Sequence, residues 1–176
     1  MPLLSNRELQ QTRCASLQIF NPGIISRPGR DQPRALGSRR RQRDDVKLGG
    51  TTLVAHLTPG HTKGCTTWTM KVNARGKSWN VVIVGSPNVN EGYKLAGHAL
   101  YPNIAQDYER TFRVLKSLPV DYFLGAHGAY FDMEAKYARM KEGAPSPFID
   151  PDGYMKYATE REQAFQKELA RQRQPR

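Results

Sequence analysis

The rhythm of apolar and polar positions changes twice along this chain of 176 residues. "RPGRDQPRALGSRRRQRDD", residues 27–45, has neither a helical nor a strand period and is expected to be disordered. From there short apolar runs alternate with turn signals. "VKLGGTTLVAHL", 46–57, reads as two short strands joined at Gly49-Gly50. "CTTWTMKV", 65–72, alternates like a strand, "ARGKS", 74–78, supplies a turn, and "WNVVIVGS", 79–86, reads as a buried strand. These runs predict a β-meander.

Beyond residue 100 the period lengthens to that of a helix. Ile104, Tyr108, Phe112, Leu115 and Leu118 recur at three- or four-residue intervals, and Pro119 ends the run. "VDYFLGAH", 120–127, predicts one more strand, and 132–142 a helix stopped by Gly143. The last helix has clear punctuation, with Asp150 as cap and Pro151 at its first position. Tyr154, Tyr157, Phe165 and Leu169 can share one face of it. Strands followed by α–β–α predict an α/β layered fold, with one sheet and helices packed on it.

Composition adds limits. With 38% hydrophobic and 24% charged residues the chain reads as globular, and it has no apolar run long enough for a membrane span. Its first twenty residues lack the apolar core of a secretory leader, so the expected location of the chain as written is the cytoplasm. Cys14 and Cys65 match no zinc or redox spacing and are expected to be thiols. The net charge of +11 suggests a nucleic-acid partner until it is located. Residues 1–43 hold nine Arg, no Lys and only two acidic residues, so most of the excess lies in the first quarter. A solvated basic tail accounts for this, and "RRRQR", 39–43, as a phosphate-binding arm is the less favoured reading. The division expected is an Arg-rich segment, 1–44, and a folded part, 45–176.

Four histidines carry the candidate chemistry. His56, inside a strand, and His98, in a loop without acids or Cys at ligand spacing, are expected to be structural. His61 and His127 each follow a strand end beside glycine, where side chains reach site-forming loops. Imidazole is the commonest metal ligand, but two are too few for a zinc site.

The stretches "HLTPGHTKGCTTW", "VGSPNVNEGYKL", "YPNIAQDYERTFRVLKSLP" and "DYFLGAHGAYFDMEAKYARMK" together resemble the metallo-β-lactamase superfamily. Within it they resemble class B β-lactamases of the third subclass, over about residues 45–176. The resemblance implies the C-terminal half of an αββα sandwich, one mixed sheet with helices on its outer face. It also implies two zinc ions, one taking His61 and the other His127, and a zinc-bound hydroxide that attacks the β-lactam amide. Ser86 and Asn88, in "GSPN", are implied as contacts to the substrate carboxylate. The strand before them ends in Gly-Ser, where thioester hydrolases of the superfamily carry a metal-bridging Asp, which favours the β-lactamase branch. Intact relatives are periplasmic or secreted.

The H-x-H-x-D-H motif that supplies four further ligands in this family occurs nowhere in residues 1–176. The expectation is therefore a truncated or frame-disrupted relative, with weak or no zinc binding and negligible β-lactamase activity. An uncovered sheet face would be open to self-association. The alternatives are a non-catalytic interaction protein with a basic arm and another metallo-hydrolase of the superfamily.

Overall fold

A computed structural model describes residues 43–74 and 76–174, all within one compact unit, Arg41–Arg176. The Arg-rich segment up to residue 42, and Cys14 with it, lies outside the described residues.

The chain runs through four antiparallel strands, β1 (Arg43–Leu48), β2 (Thr51–Leu57), β3 (Thr66–Ala74) and β4 (Lys77–Val84). Helix α1 (Ile104–Ser117) then leads to β5 (Tyr122–Gly125), which lies parallel to β4. A short 3-10 turn (Gly128–Tyr130), α2 (Met133–Lys141) and α3 (Pro151–Arg173) complete the unit. The sheet is thus mixed, in the order β1-β2-β3-β4-β5. The β4–α1–β5 crossover is the step that makes it so, because parallel neighbours cannot be joined by a hairpin.

The element types follow the sequence pattern, and the boundaries shift where pairing extends them. β1 begins at Arg43, so residues 43–45 join a strand and not an unstructured arm. Their partners on β2 run as far as His56, and a charged outer strand suits a sheet edge. The 74–78 turn is tighter than its composition implies, since Ala74 pairs with Lys77. Helix α1 stops at Ser117, because Leu118 ahead of Pro119 is extended.

Alternation along the sheet selects the core. Val82, Val84 and Phe123 face α1 and α3, where Tyr108, Phe112, Leu115, Tyr154, Phe165 and Leu169 meet them. Phe165 lies 5.1 Å from the ring of Tyr108 and 5.8 Å from that of Phe112. On the opposite face Leu53, Met70 and Val81 form one cross-strand row, with Ala55, Trp68 and Ile83 in the next. These residues stand outside the core cluster. No described helix is long and apolar enough to cross a membrane.

Asp150 performs two tasks at the start of α3. One carboxylate oxygen accepts from the Gly153 N–H at 2.9 Å, as an N-cap should, and the other lies 2.6 Å from Lys136 Nζ. Lys136 is only 2% exposed, so this ion pair accounts for a cation in the interior. Burial works to raise the Asp150 pKa, but the Lys136 and Gly153 hydrogen bonds outweigh it and hold the carboxyl below its ordinary value. A depressed carboxyl contributes stability above its unfolded pKa and loses it as pH falls through the folded one. Asp150→Asn keeps a capping oxygen and loses the charge. It is expected to cost about 1–3 kcal/mol at pH 7. In urea titrations at falling pH, the gap between variant and wild type should begin to close below the ordinary carboxyl value of 3.8.

Candidate metal site at one edge of the sheet

The C-terminal ends of β2, β4 and β5 and the start of β3 lie along one sheet edge, and the loops leaving that edge carry His61, Ser86, Asn88 and His127. The first loop, 58–65, is closed by Thr58 N–H donating to Cys65 O at 2.8 Å and Cys65 N–H donating to Thr62 O at 3.3 Å. It is tied to α1 by the Thr111 hydroxyl, which donates to Pro59 O at 2.6 Å. Gly60 has φ +138°, and a Cβ there would stand 2.7–2.9 Å from atoms of the Tyr108 ring. Only glycine lets the chain lie on that ring while placing His61 next.

The His61 imidazole is held on several sides. Its Nδ1 lies 3.0 Å from the backbone carbonyl of Asn88, and its ring stacks on Tyr93 with centroids 5.6 Å apart. The Tyr93 hydroxyl in turn donates to His61 O at 3.0 Å. A carbonyl can only accept, so Nδ1 carries the proton and Nε2 keeps its lone pair. Burial holds the His61 pKa below the ordinary histidine value. The Asn88 hydrogen bond opposes that shift, and the charge of nearby His127 adds to it. Near neutral pH the ring is therefore a free base, the form a metal takes.

His127 caps the 3-10 turn in extended conformation, exposed, with its ring 4.9 Å from that of Tyr130. Its place is set by β5, since the preceding Ala126 N–H continues the ladder to Val84 O at 2.9 Å. His56 and His98 are engaged elsewhere. His56 Nε2 meets Thr69 Oγ1 at 2.8 Å, and His98 Nδ1 accepts from the Tyr101 N–H at 3.1 Å.

The 85–88 loop follows β4. Gly85 is required there by close approach, because a Cβ would meet Thr66 O at 2.6 Å. Ser86 is 3% exposed, and its hydroxyl accepts from the Tyr130 hydroxyl at 3.0 Å. Its N–H donates to Cys65 Sγ at 3.1 Å, so the thiol stitches the two loops together. Asn88 contributes chiefly through its main chain, whose carbonyl accepts from both His61 and the Tyr108 hydroxyl. The far end of α3 steadies the continuation of this loop. Gln172 accepts from the N–H of Leu95 at 2.7 Å and donates to Tyr93 O at 2.7 Å.

Two imidazoles at one edge suit a metal as donors. A hydrolytic zinc takes three protein ligands plus water. Among the described residues no group of three or more His, Cys, Asp and Glu side chains is placed to hold a metal ion. His61 and His127 are thus two candidate donors at this end of the sheet. The supporting set of Tyr93, Tyr108, Gln172 and the Asn88 carbonyl gave no sequence signal beyond apolar periodicity for Tyr108.

No family model matches the chain. Solved structures do. The native FEZ-1 metallo-β-lactamase of Legionella gormanii is 48% identical over 75% of this chain and 50% of its own, with a TM-score of 0.73. BJP-1 of Bradyrhizobium japonicum, a subclass B3 metallo-β-lactamase, is 39% identical over 86% of this chain and 56% of its own, TM-score 0.69. A Cronobacter sakazakii metallo-β-lactamase with a HARLDQ motif is 33% identical over 77% and 51%, TM-score 0.70. The chain spans about half the length of these proteins. Sequence identity and backbone shape agree: this chain corresponds to half of a subclass B3 metallo-β-lactamase.

Proposed function

We propose that this chain carries the His61 and His127 portion of a zinc-dependent β-lactam hydrolase site, with each imidazole offering one nitrogen to metal. The observation that carries this reading is the His61 Nδ1 to Asn88 carbonyl bond. It commits the ring to the tautomer whose Nε2 can ligate, a hydrogen-bonding arrangement found around metal-bound histidines. His127 on the same edge, close enough for its charge to depress the His61 pKa, supports a shared site. Zinc, when bound in a full ligand set, would supply Lewis acidity and a water acidified to near neutral pH. This chain's own part is to orient two donors and keep one of them unprotonated. Of the two residues proposed to meet the substrate carboxylate, Ser86 has its hydroxyl engaged and buried, so the contact rests mainly on the Asn88 amide.

The test is a titration of the 15N-labelled chain with Zn²⁺ alone, followed by NMR of the histidine side chains. His61 and His127 resonances should move together while His98 stays in place. His61→Ala should remove the response at His127. Equal shifts at all four histidines, or none at His61, would defeat the proposal.

A further inference from the structure

We infer that Tyr108, a residue of the helical core, is a positioning residue that sets the tautomer of His61 through the Asn88 carbonyl. Tyr108 is fully buried in the middle of α1, and its hydroxyl donates to Asn88 O at 2.7 Å. The same oxygen accepts the His61 Nδ1 proton at 3.0 Å. A carbonyl oxygen has two lone pairs, and here each is taken by one donor. The hydroxyl holds the acceptor in place, and the acceptor dictates which ring nitrogen carries the proton. Burial pushes the Tyr108 pKa well up, so the hydroxyl remains a donor at any ordinary pH.

Two further observations make the arrangement specific. The Tyr108 ring lies directly under Gly60, so one side chain seats both the residue before His61 and the acceptor of its proton. One turn later Phe112, also fully buried, packs near Phe165 as Tyr108 does, and it has no hydroxyl. Packing at this layer therefore needs a ring but not an O–H. The Tyr108 oxygen serves the Asn88 carbonyl.

The value of this tautomer for metal binding rests on the proposed role of His61, whereas the tautomer itself does not. The experiment separates the two. Long-range 1H–15N correlation spectra of the full chain, without metal, report which His61 nitrogen is protonated. The wild type should show a single Nδ1–H form, and Tyr108→Phe a mixture of both forms. Zn²⁺ added alone should then bind the variant more weakly by about 10–100-fold, the usual effect of losing an outer partner of a ligating histidine. Tyr154→Phe is the matched control. Its hydroxyl is equally buried and also donates at 2.7 Å to a backbone carbonyl, that of Leu115, away from His61. It should lower stability and leave the His61 tautomer alone. The inference is overturned if Tyr108→Phe keeps the pure Nδ1–H form, or if Tyr154→Phe disturbs it as much. Should Tyr108→Phe not fold, the wild type decides. An Nε2–H form at His61, or a Tyr108 hydroxyl proton in fast exchange with water, overturns it, and a slow proton with Nδ1–H upholds it. Zinc that fails to bind while the tautomer shifts as described would sink only the proposed metal role.

Discussion

Mixed with excess Zn²⁺ and a chromogenic cephalosporin, this chain should hydrolyse the β-lactam no faster than zinc in buffer. The reason is ligand number. A catalytic zinc held by three protein donors keeps one position for a water whose pKa falls to near 7, and the protein's contribution is a fixed, partly dry coordination sphere. Here His61 and His127 are the two proposed donors at the sheet edge, and the described residues supply no group of three. A zinc ion held by one or two imidazoles stays largely hydrated and loosely placed, so neither the nucleophile nor the carbonyl is oriented. His61→Ala should accordingly leave the background rate unchanged, and so should a chelator beyond removing the zinc blank. Turnover well above that blank, lost on chelation and lost in His61→Ala, would show that the missing donors come from within these 176 residues.

Replacing Gly60 by alanine should produce a large loss of stability. Two costs coincide there. At φ +138° an L side chain is strained, by about 1–3 kcal/mol. The added Cβ would also press on Tyr108, whose ring cannot retreat because Phe165 lies 5.1 Å beyond it and the hydroxyl is anchored on Asn88. Overpacking of this kind costs about 1–3 kcal/mol more. Together, about 2–6 kcal/mol compares with a total stability of about 5–15 kcal/mol for an ordinary domain. The urea midpoint should fall sharply with little change in slope. His61 should also lose its stacking on Tyr93, visible as an upfield-shifted ring resonance returning towards its free position. A change below about 0.5 kcal/mol, typical of open surface sites, would mean that the loop does not rest on Tyr108.

Much of this protein was legible from residue order. The Gly49-Gly50 hairpin, the β3–β4 meander, the helical period from Ile104 and the Asp150-Pro151 start of α3 all depend on neighbours in sequence, and all are present in the fold. His61 and His127 were legible as strand-end residues, and their motifs pointed to the family that the solved structures bear out. Less legible were the element ends. Arg43–Asp45 became strand because β2 offered unpaired backbone opposite them, a long-range cause that local composition cannot express.

Sequence by itself determined the alternation of strand and helix, the family, and the fact that the H-x-H-x-D-H ligands do not occur in residues 1–176. Tertiary structure alone decided how the His61 imidazole is held. Residues 61, 88 and 108 meet only because α1 packs on the sheet and returns a buried hydroxyl to a loop twenty residues earlier. It also decided that Ser86 turns its hydroxyl to Tyr130 and that Gln172, at the far end of the last helix, steadies the loop behind Tyr93. The physical reason is common to these cases. Periodicity records which side of an element is apolar, whereas hydrogen bonds between distant elements depend on distances and angles that exist only after packing.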